Sequence, residues 1–193
     1  MFVWFPDGKD LPPFLDRHPT PDSNFDPEQP VDKSWHVDGR QSCLTAAVRN
    51  GLFETAVDRL MHYDFYPPAV LVHTSDFIRE QRRLQPGDRI AQQIRILPGL
   101  LAARVINMVT RVFYEPDRAG FSYVTTEAHF EIGEWTAAIV RKKDASIWLV
   151  VQAVSKPGPR VPAIFRPLAR LMQKRAHRLG MKSFAAGTLT PAR

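Results

Sequence analysis

The chain has little cysteine and no long hydrophobic run, and both absences limit what it can be. Cys43 is the one cysteine among 193 residues, so no disulfide can form within the chain. No apolar run approaches the roughly 20 residues that a membrane-spanning helix needs. The opening Met1–Phe5 is also too short for a secretory signal and lacks its basic flank. We therefore expect a soluble protein that works in the reducing cytoplasm.

Two common chemical signatures are missing as well. The chain has neither a glycine-rich phosphate loop nor the cysteine and histidine spacing of a zinc finger. His129 and Glu131 would share a strand face, but a third metal ligand would have to come from a distant segment. Cys43 has no histidine at a diagnostic spacing and is interpreted as a buried structural thiol. We therefore predict no metal site and no cofactor.

Acidic residues are absent from the last quarter of the chain. Ala145–Arg193 contains nine Lys or Arg residues and no Asp or Glu, whereas the whole chain has a net charge of +6. The first 144 residues therefore carry a net charge of −3, which is +6 less +9. A basic face of this kind attracts phosphates, acidic lipid headgroups or the acidic N-terminus of the same chain. A simply solvated basic face is the alternative.

The N-terminal segment has the opposite charge and much proline. Residues 1–33 hold seven of the 17 prolines and seven acidic residues against three basic ones. Because proline at this density disfavours both helix and sheet pairing, we predict an extended acidic arm. Trp4, Phe5 and Phe14 are its candidates for docking on a domain that spans residues 34–183. Residues 184–193 are predicted to form a C-terminal tail.

Alternating apolar and polar residues between Ala103 and Lys156 predict consecutive β-strands. The strands are expected near residues 105–114, 119–126, 134–142 and 147–153, with turn signals between them. Connections this short cannot hold a crossover helix, so the strands should form an antiparallel meander. Earlier in the chain, residues 34–44 are predicted to form either one bulged strand or the two short arms of a hairpin. Residues 69–73 and 90–96 are predicted strands, and 45–61 is predicted to be helical.

A long amphipathic helix is predicted directly after the meander. Its apolar residues recur at spacings of three and four, which predicts one stripe that packs against the sheet; they are Val161, Ile164, Phe165, Leu168, Leu171, Met172 and Leu179. The element order indicates an α+β domain in which a curved antiparallel sheet of about seven strands grips the C-terminal helix. This order resembles the helix-grip fold of START-like lipid-transfer and pollen-allergen-like proteins.

Four local motifs carry a closer resemblance to a known family. They are NGLFETAVDRL (50–60), PGDRI (86–90), ARVINMVTRVFYEPDRAGFSYVTTEAHFEIGE (103–134) and VSKPGPRVPAIFRPLARLMQKR (154–175). Together they resemble the uncharacterised protein family 0548, a domain of unknown function, over roughly Trp35 to Lys182. The positions that match its pattern are Gly120, Phe121, Tyr123, Thr125, His129, Gly133, Glu134, Ser155, Pro157, Arg170 and Gln173. A Gly-Thr-Leu-Pro-Gly-like turn of the family is replaced here by residues 124–128. The resemblance implies a fold and no activity.

The first hypothesis for function is a small-molecule binding module. A curved sheet and a helix can enclose a cavity for an apolar or amphipathic ligand. The predicted polar anchors are Tyr114, Tyr123 and Thr125, and the predicted walls are Phe121, Trp135, Trp148, Phe165 and Met172. These side chains must point inward, and an interior filled by side chains such as Phe121, Met108 and Met172 would contradict the hypothesis.

Two alternatives remain open from the sequence. The first is a cyclase-like or hydrolase-like enzyme in which His129 works with Glu131 or Glu134 as acid and base. The same residues also suit an ordinary polar hairpin loop. The second is a peripheral protein whose basic C-terminal helix binds an anionic membrane or nucleic acid. An exposed stripe of arginines with aromatic residues beside it would favour this alternative, whereas pairing with the acidic arm would remove it.

Overall fold

The chain forms one curved antiparallel sheet with helices on both of its faces. The computed structural model describes residues 2–97, 99–159 and 161–190. The strands are β1 Phe2–Trp4, β2 His36–Thr45, β3 Leu71–Ser75, β4 Arg89–Leu97, β5 Leu101–Glu115, β6 Arg118–Thr125, β7 Glu131–Arg141 and β8 Ile147–Pro157. The helices are α1 Leu11–Asp16, α2 Leu52–Met61, α3 Asp76–Arg79 and α4 Arg166–Leu189, with short 3-10 turns at Gly8–Asp10 and Ala163–Phe165. No helix in these described ranges is both long and apolar enough to cross a bilayer.

Strands β3 to β8 pair with one another in chain order, and β2 pairs with β8 at the edge of the sheet. Neighbours follow the order β2-β8-β7-β6-β5-β4-β3, and β1 pairs separately with the beginning of β5. All of these pairs are antiparallel. The predicted α+β fold, with a curved antiparallel sheet and a long C-terminal helix, is confirmed.

The concave face of the sheet is filled by aromatic and aliphatic side chains. Phe121, Ala137 and Leu149 point inward from the strands and join one apolar core with Ala56 and Leu60 of α2. Two rings from the segment after α2, Tyr63 and Phe65, lie beside Trp135, at centroid distances of 6.1 and 5.4 Å. Phe121 and Phe184 of α4 are also completely buried in this core. Most of the hollow is therefore occupied by the protein's own side chains.

Helix α4 buries side chains only from its middle to its C-terminal end. The buried residues of this helix are His177, Gly180, Met181, Phe184 and Thr188. Gly180 permits the approach, because a Cβ there would lie 2.3 Å from the Phe65 ring. In contrast, the side chains of Phe165, Leu168 and Leu171 are exposed. The prediction that the apolar stripe closes the core is therefore wrong for Ile164, Phe165, Leu168 and Leu171, whereas Val161 is buried. The helix buries a neighbouring face made of small and aromatic residues, and the stripe turns to solvent.

The N-terminal segment differs from the predicted extended arm. Residues 11–16 form α1, in which Pro12 and Pro13 occupy the first turn, where a missing backbone N–H costs no hydrogen bond. Leu11, Phe14 and Leu15 are buried on the convex face of the sheet, whereas Trp4 and Phe5 are exposed. At the other terminus α4 continues to Leu189, so residues 184–189 are helical where a tail was predicted. Residues 191–193 of that tail lie outside the described residues.

Candidate functional site

Five polar side chains from three strands and α4 meet at one end of the concave face. We call Asp38, Glu131, Ser155, Arg170 and Gln173 the polar cluster. Gln173 Nε2 donates hydrogen bonds to Ser155 Oγ (2.9 Å) and Glu131 Oε2 (3.2 Å). Arg170 donates to Gln173 Oε1 and to both carboxylate oxygens of Asp38. The cluster therefore joins β2, β7 and β8 to the N-terminal half of α4 through one continuous set of hydrogen bonds.

The electrostatics of the polar cluster leave one carboxyl group that titrates near neutral pH. Burial raises the pKa of Glu131 to about 7, against the opposing charge of Arg170 and with a further contribution from Asp38. Burial also acts to raise the pKa of Asp38, but the hydrogen bonds and charge of Arg170 outweigh burial and lower it. Burial lowers the pKa of His177, the nearby imidazole, to about 4, so this ring is neutral at pH 7. Glu131 is thus the group whose protonation state responds to physiological pH.

Behind the polar cluster lies a buried layer of hydroxyl and amide groups. Gln92 Nε2 donates to Tyr63 Oη (2.6 Å), and Tyr63 Oη donates to Tyr123 Oη (3.3 Å). The Tyr123 ring stacks on Trp135 at a centroid distance of 5.0 Å. Burial raises the pKa of Tyr123 to about 12, and the charge of Glu131 adds to this effect. The tyrosines are therefore neutral, and Glu131 lies close enough to affect them.

Tyr63, the centre of the buried layer, has a strained backbone. Its φ is 59°, in the left-handed region that favours glycine. It follows α2 directly, where Tyr63 N donates to Leu60 O and Asp64 N donates to Arg59 O to end the helix. A glycine at this position would remove strain of about 1–2 kcal/mol. A tyrosine here supplies a ring and a hydroxyl that contact His73, Tyr123 and Gln92.

Several buried polar atoms in the same layer have no hydrogen-bond partner. Four residues of the described chain have such atoms, and three of them lie on this part of the concave face: His73 Nδ1, Trp135 Nε1, and both amide atoms of Asn107. The Asn107 side chain is completely buried, and the sheet register places it opposite Thr125, one row from Tyr123. A buried polar group without a partner costs about 1–3 kcal/mol. A polar group of a ligand would recover part of this cost.

Two surface clefts accompany the buried layer. The larger, of about 470 Å³, lies between β2 and α4 and is lined by Arg40, Gln41, Ser42, Arg178, Met181, Lys182 and Ala185. The smaller, of about 230 Å³, lies on the convex face and is lined by Arg118, Thr136, Ala138, Val140, Val150 and Gln152. Neither cleft is the enclosed apolar cavity that the sequence predicts under the stripe of α4. The aromatic side chains of the concave face occupy that space.

Four of the predicted ligand-binding residues come together on the concave face. Phe121, Tyr123, Thr125 and Trp135 are all buried there. Phe121 and Tyr123 both contact Trp135, with ring centroids 5.7 and 5.0 Å away. The Thr125 hydroxyl is already used, because Thr125 Oγ1 donates to Asn24 Oδ1 and accepts from Gly133 N. Thr125 therefore positions the N-terminal segment and is not a free polar anchor.

Three of the other four predicted ligand-binding residues lie elsewhere. Tyr114 is exposed at the far end of β5, and Phe165 is exposed before α4. Met172 is only partly buried on α4. Trp148 lies on the convex face, because Leu149 and Val151 point inward and strand side chains alternate. Its Nε1 donates to Ser146 Oγ, and the Lys142 ammonium lies 3.7 Å from its ring centroid. The predictions for Tyr114, Phe165 and Trp148 are therefore wrong as to position, whereas the role of Met172 stays a prediction.

The predicted acid and base pair of His129 with a carboxylate is not formed. His129 Nδ1 accepts a hydrogen bond from Glu131 N, and the ring stacks on Phe130. Burial lowers the pKa of His129 to about 3, so the imidazole stays neutral. Glu131 and Glu134 point to opposite faces of β7, because their separation of three residues is odd. Burial raises the pKa of Glu134 despite the charge of Arg111. The geometry therefore does not support catalysis by His129.

Sequence reasoning missed several residues of this site. Asp38, Tyr63, Gln92 and Asn107 were not among its candidates, although Ser155, Arg170 and Gln173 carried the family resemblance. Gln92 lies between Ile90 and Ile94 on one face of its strand, and Asn107 lies between Val105 and Val109 on one face of the next. A polar residue at an otherwise apolar alternate position is the signal that points to both. Cys43 is exposed, so the predicted buried thiol is also wrong. Within the described chain, no three His, Cys, Asp or Glu residues are grouped as a metal site.

Solved structures with the same fold share little sequence identity with this chain. A hypothetical protein of Helicobacter pylori, jhp0584, superposes with a TM-score of 0.56 at 10% identity, covering 84% of this chain and 90% of that chain. Ara h 8.0201 gives 0.50 at 12% identity, covering 81% and 99%. The di-domain ARO/CYC protein StfQ of the steffimycin biosynthetic pathway gives 0.51 at 9% identity, covering 79% of this chain and half of StfQ, 50%. These likenesses confirm the helix-grip fold.

The family assignment comes from the sequence itself. No curated protein matches the chain significantly. The match to a family profile spans residues 21–183, so it begins before the expected Trp35 and includes part of the N-terminal segment. The expected membership of an uncharacterised family is confirmed. By this match the chain belongs to the family described as Domain of unknown function (DUF1990).

Proposed function

We propose that this domain binds a small amphipathic molecule at the polar end of the concave face, beside the N-terminal half of α4, and not in the enclosed apolar cavity that the filled hollow contradicts. The fold is one that resembles ligand-binding proteins. The observation that carries the proposal is the completely buried Asn107, whose two amide atoms have no partner in the described chain. Natural cores keep such groups rarely, because an apolar residue of similar size would be more stable. A polar group of the ligand at Asn107 would explain why the asparagine is there.

The chemistry of the layer indicates what that ligand group would be. Asn107 offers one amide donor and one acceptor, and the Trp135 indole offers a donor. Glu131, with a pKa of about 7, is partly protonated near neutral pH and can then also donate. Donors predominate in this set. The ligand group is therefore one that mainly accepts hydrogen bonds, such as a carbonyl or hydroxyl, with an apolar body against the aromatic rings.

The route to Asn107 would pass the polar cluster. Glu131, Arg170 and Gln173 are half-buried, and each belongs to the set of hydrogen bonds that joins α4 to the sheet. From Arg166 to Ala176 the helix α4 has no fully buried residue, so this part of the helix is the least constrained. Breaking these hydrogen bonds would free this part of α4 to move away from the sheet and would let a ligand enter. The single thiol, Cys43, is exposed and would remain reduced in the cytoplasm, where we place this function.

Native mass spectrometry of the protein purified from its own host tests the proposal. We expect a bound small molecule that the Asn107→Leu variant does not carry. The matched control is Ser122→Ala, because Ser122 bonds Thr136 on the convex face, 2.7 Å away, and touches neither the buried layer nor the polar cluster. Asn107→Leu should also bind less of the probe 1-anilinonaphthalene-8-sulfonate than wild type, and Ser122→Ala should bind as much as wild type. A preparation without any bound molecule, together with equal probe binding by Asn107→Leu and wild type, would overturn the proposal.

A further inference from the structure

Two exposed apolar patches lie at the same end of the sheet as the polar cluster. The helix patch consists of Ile164, Phe165, Leu168 and Leu171, whose side chains are 80%, 56%, 52% and 65% exposed. The strand patch consists of Phe2, Trp4, Phe5, Leu97 and Leu100, of which Trp4 is 64% exposed. Exposed patches of aliphatic and aromatic side chains mark surfaces that bind a protein, a membrane or a ligand.

The strand register places both patches at one end of the molecule. Trp4 pairs with Leu101, and Phe5 N donates to Leu100 O, so the strand patch follows the turn between β4 and β5. Glu131 at the start of β7 pairs with Pro157 at the end of β8, just before the helix patch. In an antiparallel meander the end of β4, the start of β5, the start of β7 and the end of β8 lie on one side. Both patches therefore face the same direction along the strands.

The exposed face of α4 continues from the helix patch into a row of positive charges. Arg175, Arg178 and Lys182 follow Leu168 and Leu171 at helical spacings on the solvent side, and Lys174 lies beside them. Among the cations of α4 in the described chain, only Arg170 forms a salt bridge, with Asp38. Two acidic residues of the N-terminal segment pair elsewhere, Asp10 with Arg104 and Asp16 with Arg79, and no salt bridge among the described residues joins this segment to α4.

We infer that this end of the protein docks on the surface of an anionic lipid bilayer. The helix patch would enter the acyl boundary, and Lys174, Arg175, Arg178 and Lys182 would lie against the headgroups. The strand patch, with Trp4, would be a second point of insertion, since tryptophan favours the membrane interface.

Charge and shape favour a bilayer over other occupants. A second copy of the chain would bring the same positive row against itself, and like charges repel. A nucleic acid would satisfy the arginines but leave Ile164, Leu168 and Leu171 without an apolar partner. An anionic bilayer satisfies both groups at once, because acidic headgroups lie directly above apolar chains.

Vesicle sedimentation tests the inference with paired variants of the full chain. We expect binding to phosphatidylcholine vesicles that contain phosphatidylserine, weak binding to phosphatidylcholine alone, and a loss of binding as salt rises. Leu168→Ser with Leu171→Ser should weaken binding at least about tenfold. The control is Leu189→Ser, an exposed leucine at the other end of the same helix. Circular dichroism checks that the variants fold.

A second pair of variants tests the charged part of the surface. Lys174→Glu with Arg175→Glu should reduce binding to the vesicles that contain phosphatidylserine by about tenfold or more, because it replaces two cations that attract anionic headgroups by two anions. Arg83→Glu with Lys143→Glu makes the same change of net charge at exposed positions away from α4 and should leave binding unchanged. Equal losses in the two double variants would mean that net charge alone, and not this surface, drives binding.

Tryptophan fluorescence reports on the strand patch. Trp35 and Trp135 are buried and Trp148 is half-buried, so a blue shift on adding vesicles reports mainly on Trp4. The shift should disappear in Trp4→Phe. Three results would overturn the inference: no binding to the mixed vesicles at low salt, unchanged binding by the double-leucine variant, or self-association through the helix patch without vesicle binding.

Discussion

The two ends of the concave face differ in packing and in hydrogen bonding. At the packed end, Ala56, Leu60 and Leu149 are completely buried in one apolar core. At the other end, Asn107 and Trp135 have buried polar atoms without partners, Glu131 has a raised pKa and Tyr63 has a positive φ. The packed end stabilises the fold, and the polar end reduces that stability. Features that lower stability in this way are concentrated where a protein binds a ligand or catalyses a reaction.

The largest expected effect belongs to the packed end. Leu149→Ala should lower the free energy of unfolding by about 2–5 kcal/mol, because the leucine is completely buried and its neighbours cannot collapse fully into the cavity. Urea unfolding followed by circular dichroism measures this loss. A loss below about 1 kcal/mol, the range typical of surface changes, would mean that the packed end is not the rigid core described above.

Replacing Glu131 should remove a pH dependence from the polar end. Its pKa is raised to about 7 in the folded protein, so its contribution to stability is present below the unfolded value and lost as pH rises through 7. Glu131→Gln should therefore unfold with a free energy about 1–3 kcal/mol higher than wild type at pH 8 and nearly equal at pH 4. Chemical unfolding across this pH range measures the difference.

Asp38→Asn is the control for that experiment, since it should act at the other end of the pH range. The pKa of Asp38 is lowered in the folded protein, so its contribution is present at neutral pH and lost as pH falls. The asparagine variant should flatten the acid limb of the stability curve. It should keep a limb from Glu131, moved to lower pH because the charge of Asp38 no longer helps to raise the pKa of Glu131. If the two variants gave the same profile, the two carboxyl groups would titrate as one unit.

The contact between α4 and the core depends on one glycine. Gly180→Ala should destabilise the protein by about 1–3 kcal/mol, because the new Cβ would overlap the Phe65 ring, which is packed on all sides. Gly187→Ala is the matched control on the same helix. There the Cβ meets only the flexible guanidinium end of Arg59, which can move. Thermal unfolding of both variants should show a lower midpoint for Gly180→Ala alone.

The smallest effect has the opposite sign. Asn107→Leu should raise the free energy of unfolding by about 1–2 kcal/mol, because it replaces two unpartnered buried polar atoms by an apolar side chain of similar size. Ser122→Ala, which removes a satisfied hydrogen bond, should lower it by about 1 kcal/mol. If Asn107→Leu is more stable than wild type and no longer carries the ligand, the asparagine lowers the stability of the fold and is needed for binding. Destabilisation by Asn107→Leu would show that the amide has a structural role.

Much of the fold follows from periodicity that is visible in the sequence. The meander from β4 to β8 was predictable because alternation with short turns has only one low-cost arrangement, consecutive antiparallel hairpins. The concave positions of Phe121, Tyr123 and Trp135 follow from the same alternation. Trp148 was misplaced because aromatic character was taken for interior position, although Leu149 and Val151 set the parity of β8. The density of proline in the N-terminal segment predicted an extended arm. The helix α1 forms nevertheless, because Pro12 and Pro13 are acceptable in a first helical turn.

The sequence by itself determined the helix-grip class, the strand order of the meander and the separation of positive charge onto the last helix. Only the tertiary structure decided which face of α4 is buried, that the hollow is filled by the rings after α2, and that Asp38, Glu131, Ser155, Arg170 and Gln173 meet. The physical reason is the range of the interactions. Turns and alternation act between near neighbours in the chain, whereas burial of a helix face and completion of a hydrogen-bond set depend on partners many residues away.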